Sequence, residues 1–154
     1  MSPIKIIFVC TGNTCRSPMA AALAEQIFSQ AGLVTKVASA GVSAWANQPA
    51  SRHAISVMKD KGLCLIAHKA ALVSKEILDG AALILTMTSS HGAVLISDYP
   101  EAKDKIFTLG EYVGKNTDIS DPFGGSLEDY RTCAEQIKTL LLRAAKKLRK
   151  HIKP

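Results

Sequence analysis

Short apolar runs alternate along the chain with segments of helical periodicity. The runs are rich in β-branched residues and lack polar alternation, which is typical of strands buried on both faces of a sheet. Three such runs span Ile4–Val9, Ala81–Met87 and Lys105–Leu109, and a further candidate strand spans Val34–Ala38. Strands that alternate with helices predict an α/β fold, with a parallel sheet covered by helices on both sides.

The segments between the strands carry helix start and stop signals. The first helix is predicted to start with Ser17 as N-cap and Pro18 as its first residue, and to end before Gly32. The last helix is predicted from Ser126 onward, because an apolar stripe follows at helical spacing. Helical segments are also predicted over 50–61, 74–78 and 89–97, and loops over 41–49 and 114–125. No internal repeat or linker composition divides the chain, so residues 1–154 are predicted to form one domain.

Composition and charge narrow the class of protein. The chain is 47% hydrophobic and 21% charged, enough to bury a core, which excludes disorder as the main state. The net charge is +6, but residues 126–154 hold eight Lys or Arg against three Asp or Glu. Cations at the end of a long helix complement its dipole and form a solvated face. This interpretation is favoured over a surface for nucleic acid or an acidic partner, so no nucleic-acid partner is predicted.

The sequence contains no candidate membrane segment and no clustered metal ligands. No apolar run approaches the roughly 18 residues that span a bilayer, and the first run is too short for a signal peptide. We therefore expect a cytoplasmic protein without a membrane partner. The four cysteines, Cys10, Cys15, Cys64 and Cys133, form neither a disulfide framework nor a zinc motif, so no metal or cofactor is predicted.

The loop between the first strand and the first helix carries the candidate chemistry. Successive N–H groups in a tight loop can form an anion nest, and the helix N-terminus adds free N–H groups and a positive dipole end. Gly12 and Asn13 tolerate the positive φ that such a nest requires. Arg16 can bind phosphate oxygens with two parallel donors. The segment therefore predicts a site for a tetrahedral oxyanion such as phosphate.

A cysteine that faces such a nest is predicted to react as a thiolate. Helix N-termini and neighbouring arginines stabilise thiolates, so Cys10 should be a strong nucleophile at neutral pH. The Cys-x5-Arg spacing from Cys10 to Arg16 lets the chain surround one phosphate, with the sulfur below phosphorus. Phosphoryl transfer also needs an acid for the leaving group. Asp121 lies in a loop at the expected sheet edge, although an Asp that simply initiates a turn before Pro122 fits the spacing equally well.

The segment from Cys10 to Ala20 resembles the phosphate loop of the low-molecular-weight protein tyrosine phosphatases. Asp121-Pro122 is similar to the acid motif of that family, and Ser39-Ala40-Gly41, Trp45 and His68-Lys69-Ala70 match in order. The resemblance covers essentially the whole chain. It implies a three-layer αβα fold with a four-stranded parallel sheet, and a metal-free, two-step reaction through a phosphocysteine. The implied partner is a phosphorylated protein.

The resemblance also implies a role for each matching residue. Cys10 is the implied nucleophile, Arg16 the phosphate clamp, and Asp121 the acid and then the base. Ser17 would donate a hydrogen bond to the thiolate. The phosphate-binding loop would further include Thr11, Gly12, Asn13, Thr14 and Cys15, held by a network of Asn13 with Ser39 and His68. Trp45 matches a residue of the pocket wall, with ordinary packing as the alternative. Independently of the resemblance, Cys15 lies five residues from Cys10 in the same loop and is expected to act as its redox partner, with simple packing at the helix start as the alternative.

Two positions bear on the substrate. Thr14 and Phe123 stand where tyrosine phosphatases of this family commonly carry Ile and Tyr, and both are expected to line the substrate pocket. This combination is similar to the bacterial branch that dephosphorylates phosphoarginine. A hydroxyl on the pocket wall suits a thin, polar, planar side chain, whereas Ile suits an aromatic ring. Phosphoarginine is therefore favoured, with phosphotyrosine as the alternative.

Other functions are less favoured. Arsenate reductases share the Cys-x5-Arg loop but need two further, closely placed cysteines, which Cys64 and Cys133 are not. A phosphocysteine carrier or an inactive phosphate-binding module is also possible on the loop alone. A carrier must protect its phosphocysteine from water, so an acid/base at Asp121 argues against it.

Overall fold

A four-stranded parallel sheet forms the centre of the computed structural model, which describes residues 2–152. The strands are β1 (Ile4–Cys10), β2 (Thr35–Gly41), β3 (Leu83–Thr86) and β4 (Ile106–Thr108), in the spatial order β2-β1-β3-β4. Each neighbouring pair is parallel. The predicted α/β fold with a four-stranded parallel sheet is confirmed.

Helices cover both faces of this sheet and complete a three-layer arrangement. They are α1 (Arg16–Gln30), α2 (Arg52–Asp60), α3 (Lys75–Leu78), α4 (Ser89–Asp98), α5 (Leu109–Tyr112) and α6 (Leu127–Ile152), with a 3-10 helix at Pro100–Lys105. Helices α1, α2, α5 and α6 pack on one face, and α3 and α4 on the other. None of the helices in the described part of the chain is long and apolar enough to cross a membrane.

The two apolar cores explain why β1 shows no polar alternation. Ile6 and Phe8 point into the core beneath α1 and α6, whereas Ile7 and Val9 point into the core beneath α3 and α4. All four side chains are fully buried. Each contributes roughly 1.5–3 kcal/mol by leaving water, so the central strand is fixed from both sides.

The start of α1 differs from the prediction. The helix begins at Arg16, Cys15 occupies the N-cap position without a side-chain cap bond, and Ser17 lies inside the first turn. The prediction that Ser17 caps the helix and Pro18 begins it was therefore wrong. The physical reason is that the Ser17 hydroxyl is used in the loop, where it lies 2.9 Å from Cys10 Sγ.

Two short elements after α4 were not predicted. The 3-10 helix at Pro100–Lys105 and α5 are each too short to show a periodic pattern. Helix α5 nevertheless has a capping box, in which Thr108 Oγ1 accepts from Glu111 N–H and Glu111 accepts from Thr108 N–H. Helix α6 begins at Leu127, one residue after the predicted start at Ser126, and Ser126 Oγ accepts from Asp129 N–H at 3.1 Å.

The sheet order places the β1–α1 loop at a crevice. Strand β1 lies between β2 and β3. The connection from β1 to β2 therefore runs to one side of β1, and the connection from β2 to β3 crosses to its other side. In open α/β sheets, the carboxyl end of such a strand is where ligands bind.

Candidate active site

The β1–α1 loop turns its carbonyl oxygens outward. The carbonyl of Cys10 accepts from Val42 N–H and that of Thr11 from Ser43 N–H, both at 2.9 Å. The carbonyl of Asn13 accepts from His68 Nε2 at 2.7 Å, and that of Thr14 from Ser51 N–H at 2.9 Å. In a trans peptide the C=O and the next N–H point in opposite directions, so the following amides face inward. Together with the N-terminus of the 15-residue helix α1, these amides form a concavity that suits an anion.

Asn13 holds the loop in this shape. Its φ is +56°, in the left-handed region that Asn tolerates, and the residue is fully buried. Its Nδ2 donates to Ser17 Oγ at 2.8 Å and to Ser39 Oγ at 2.9 Å, and its Oδ1 accepts from Ala71 N–H at 3.0 Å. The side chain therefore joins the loop to the end of β2 and to the segment before α3.

Ser17 links this network to the thiol. Asn13 Nδ2 occupies an acceptor position of Ser17 Oγ, so the serine hydrogen is free to point toward an acceptor. Cys10 Sγ lies 2.9 Å from Ser17 Oγ, closer than the Ala40 carbonyl at 3.4 Å. A thiolate at Cys10 can therefore accept a hydrogen bond from Ser17.

Gly41, at the end of β2, allows the loop to pack closely. A Cβ there would collide with the Thr11 carbonyl oxygen and crowd the Asn13 nitrogen. The glycine N–H also donates to the Ala71 carbonyl at 2.9 Å. Only glycine lets the strand end and the loop approach so closely, which gives the Ser39-Ala40-Gly41 motif a steric cause.

Arg16 lies beneath the loop, only 5% exposed. Its Nη1 donates to the Ile119 carbonyl at 2.9 Å, and its Nη2 lies 3.6 Å from Asp121 Oδ2. Ile119 N–H in turn donates to the Met87 carbonyl at 2.9 Å, which fixes the 118–121 segment against the end of β3. One carboxylate at this distance leaves donors of the guanidinium available to an anion in the loop.

The two carboxylate oxygens of Asp121 make different contacts. Its Oδ1 accepts from Phe123 N–H at 3.0 Å, which is the turn-initiating contact, while Oδ2 faces Arg16. The side chain is 49% exposed, so it can exchange protons with water. The contact that initiates the turn is therefore compatible with the predicted role of Asp121 as the acid for the leaving group.

The thiol, the guanidinium and the carboxyl open onto one pocket of about 600 Å³. Its wall includes Thr14, which is half-buried, and two aromatic side chains at the rim, Trp45 and Phe123. Trp45 is 79% exposed and Phe123 74% exposed, so neither is a core residue. This position of Trp45 contradicts the alternative of ordinary packing.

Cys15 lines the same pocket, and its thiol also contacts residues outside the β1–α1 loop. Its Sγ lies 3.2 Å from the Tyr130 hydroxyl and 3.5 Å from Ser51 Oγ. Burial, followed by the hydrogen bond to Cys15, raises the pKa of Tyr130 to about 12.

The other two cysteines differ in their surroundings. Burial raises the pKa of Cys133 to about 12, which keeps that thiol protonated and unreactive, whereas Cys64 is exposed. No group of three or more His, Cys, Asp or Glu within residues 2–152 could hold a metal ion.

His91 is a residue of this region that the sequence analysis missed. It is buried at the start of α4, and its Nε2 lies 2.8 Å from Thr11 Oγ1. The available signal was the Thr88-x-x-His91 spacing directly after β3, at the sheet edge where the Cys10 loop also lies. Nothing local indicated that the ring meets a loop 80 residues earlier.

Comparison with known proteins gives matches over nearly the whole chain. Residues 5–153 match the sequence model of the low molecular weight phosphotyrosine protein phosphatases. The chain is 50% identical over 147 residues to a protein-arginine-phosphatase of Geobacillus stearothermophilus, covering 95% of this chain and 97% of that protein. It is 44% identical over 146 residues to a protein-arginine-phosphatase of Bacillus subtilis, covering 94% and 97%. The structure of the YwlE arginine phosphatase from Geobacillus stearothermophilus superposes with a TM-score of 0.90 at 48% identity, covering 97% of this chain and 95% of that one.

Proposed function

Because the chain belongs to the low molecular weight phosphotyrosine protein phosphatase family and is a protein phosphatase, we propose that it hydrolyses phosphoarginine in proteins through a phosphocysteine at Cys10. The observation that carries the choice of substrate is that Thr14, a residue with a hydroxyl group, lines the pocket. Two relatives at 50% and 44% identity bear the name protein-arginine-phosphatase, which supports this choice.

In the first step, Cys10 Sγ attacks phosphorus while Arg16 and the inward N–H groups hold the phosphoryl oxygens. The S–P bond forms as the P–N bond to the guanidine breaks. The departing nitrogen takes the proton of the Asp121 carboxyl group. General acid catalysis of this kind contributes typically 10²–10⁴-fold.

In the second step, water hydrolyses the phosphocysteine. The Asp121 carboxylate accepts a proton from the water as its oxygen attacks phosphorus, and the S–P bond breaks. Ser17, 2.9 Å from the sulfur, donates to the departing thiolate and lowers the cost of its release. Inorganic phosphate then leaves, and Asp121 is protonated again for the next cycle.

The pocket supports phosphoarginine through shape and polarity. The guanidino group of phosphoarginine is planar and carries N–H donors, and the Thr14 hydroxyl can accept one of them. A site that hydrogen-bonds its ligand discriminates strongly, whereas an added methylene in an apolar pocket changes affinity by only about 1–3 kcal/mol. Trp45 and Phe123 at the rim could also flank an aromatic ring, so phosphotyrosine is the competing substrate.

The test compares turnover of matched phosphoarginine and phosphotyrosine peptides by wild type, Thr14→Ile and Thr14→Val, with Cys10→Ser as the blank. Thr14→Val removes the hydroxyl at constant shape, and Thr14→Ile also adds bulk. We expect both variants to lose kcat/KM for phosphoarginine, and Thr14→Ile to keep or gain activity toward phosphotyrosine. Preference of the wild type for phosphotyrosine, or an equal loss on both peptides, would refute the proposed substrate.

We also infer a cytoplasmic location, because the reaction requires Cys10 as a free thiol and the cytoplasm keeps thiols reduced. Cys10 and Cys15 are both free in the structure. The cationic end of α6 is assigned no nucleic-acid or membrane partner.

A further inference from the structure

His91 is buried beside the pocket, yet the proposed reaction does not use it. Only 5% of the residue is exposed, and both ring nitrogens have partners. Thr88 N–H donates to Nδ1 at 3.2 Å, which completes the capping box of α4. On the opposite side of the ring, Nε2 lies 2.8 Å from Thr11 Oγ1.

These contacts fix which ring nitrogen of neutral His91 carries the proton. A backbone N–H can only donate, so Nδ1 must be the unprotonated, accepting nitrogen. The hydrogen is therefore on Nε2, which donates to Thr11 Oγ1. Burial, and then the nearby Arg16 guanidinium, lower the pKa of His91 to about 4 against the opposing charges of Asp118 and Asp121. The ring is thus neutral at pH 7.

The hydroxyl of Thr11 is thereby left with a hydrogen to donate. Its oxygen accepts from His91 Nε2 and lies 3.5 Å from Arg16 Nη2, which also can only donate. Thr11 is exposed and lines the pocket beside Cys10 and Asp121. With donors on the protein side, its own hydrogen is directed toward the pocket.

We propose that the Thr11 side chain donates a hydrogen bond to a phosphoryl oxygen of the bound substrate, and that His91 is the positioning residue that sets its direction. Phosphoryl oxygens only accept, which suits a hydroxyl fixed as a donor. The guanidino N–H groups of phosphoarginine only donate, so they are poor partners for it. The inference rests on the phosphatase reaction but not on the identity of the leaving group.

The test uses variants that separate the two contacts of His91. The amide oxygen of His91→Asn can replace Nδ1 as acceptor for Thr88 N–H, but the shorter side chain cannot reach Thr11. His91→Gln extends an amide N–H to the position of Nε2. Thr11→Val removes the hydroxyl at constant shape, and Thr11→Ser retains it. The readouts are kcat and KM for p-nitrophenyl phosphate and a phosphoarginine peptide, the inhibition constant of inorganic phosphate, and the melting temperature.

We expect Thr11→Val to lose about 10- to 100-fold in kcat/KM on both substrates, the scale of one hydrogen bond to a charged group, and to bind inorganic phosphate more weakly. Thr11→Ser should recover most of the loss. His91→Asn should lose about 3- to 10-fold, a part of the Thr11 effect, and His91→Gln less. In the Thr11→Val background, His91→Asn should have no further effect, because there is no Thr11 hydroxyl left for His91 to direct toward the substrate.

Three results would overturn the proposal. The first is unchanged kinetics and phosphate inhibition in Thr11→Val. The second is a loss confined to phosphoarginine, which would place the contact on the leaving group; this outcome leaves the phosphatase reaction intact. The third is additive effects of the two sites, which would give His91 a merely structural role. If His91→Asn does not fold, the comparison of Thr11→Val with Thr11→Ser still decides whether the hydroxyl contacts the phosphoryl group.

Discussion

Replacement of Asn13 by alanine should destabilise the protein and disable the site together. The substitution removes three side-chain hydrogen bonds, to Ser17, Ser39 and Ala71. It also places a residue with a Cβ and no local polar group at φ +56°. The two hydroxyl groups can rotate to other partners, but the direction of Ala71 N–H is fixed by the backbone.

The magnitude follows from these losses. A left-handed backbone costs an ordinary residue about 1–2 kcal/mol. An N–H group left without a partner costs about 1–3 kcal/mol, toward the lower end here because Ala71 is half-buried. We therefore expect Asn13→Ala to lower the free energy of unfolding by about 2–5 kcal/mol. For a chain of 154 residues this corresponds to a decrease of roughly 5–20 °C in the melting temperature.

The assay is urea unfolding of wild type, Asn13→Ala and Asn13→Gly, with kcat/KM measured on the folded proteins. Glycine accepts the positive φ but restores no hydrogen bond, and it gains entropy in the unfolded chain. It should therefore be more stable than the alanine variant by at most about 1 kcal/mol, and nearly as inactive. The reasoning fails if Asn13→Ala stays within about 0.5 kcal/mol of wild type, the range of an ordinary surface substitution, with unchanged kcat/KM.

Three further predictions concern the acid, the second loop cysteine and the buried histidine. Asp121→Ala should lower kcat by roughly 10²–10⁴ for a poor leaving group and by much less for an activated aryl phosphate; equal losses would assign Asp121 another role. After peroxide and then dithiothreitol, wild type should recover activity and Cys15→Ser much less, because a Cys10–Cys15 disulfide protects the nucleophile from further oxidation; equal recovery would exclude that protection. The pKa of His91 is lowered to about 4 in the folded protein, so below its unfolded value of about 6.5 the unfolded state binds more protons than the folded state. Stability should therefore decrease as the pH is lowered from 6.5 toward 4. The contribution lost by pH 5 is at most about 2 kcal/mol, measured as the difference in urea unfolding between wild type and His91→Asn, and a difference independent of pH would contradict it.

The local parts of the site could be predicted from sequence because the residues that form them are consecutive in the chain. A buried β-branched strand, a loop with Gly12 and Asn13, and a helix behind Arg16 are consecutive, so periodicity and residue type suffice. The parallel sheet follows from the same alternation of buried strands and helices, whereas its four strands were implied by the resemblance to the phosphatase family. The start of α1 was predicted wrongly because the capping preference of Ser17 is weaker than its place in the hydrogen-bond network of the loop.

The remote parts could not be predicted, because no local pattern encodes them. The acceptor for Arg16 Nη1 is a main-chain carbonyl, that of Ile119, and any residue type supplies one. The contact between His91 and Thr11 depends on how α4 is placed after β3, which is a consequence of packing across the sheet. Residues that act through backbone groups or across long loops therefore become visible only in three dimensions.

The way the loop is held explains why its stability and its chemistry should change together. The inward direction of its amides is imposed from outside, by four donors on three segments of the chain that together hold four carbonyls. The left-handed residue Asn13 and the close approach of Gly41 are tolerated because these bonds over-determine the conformation. An anion that binds the amides reinforces the same conformation, since it accepts hydrogen bonds from several inward N–H groups at once. Phosphate should therefore raise the melting temperature of wild type, by mass action on the folded state, more than that of Asn13→Ala, whose loop is no longer held in the binding conformation.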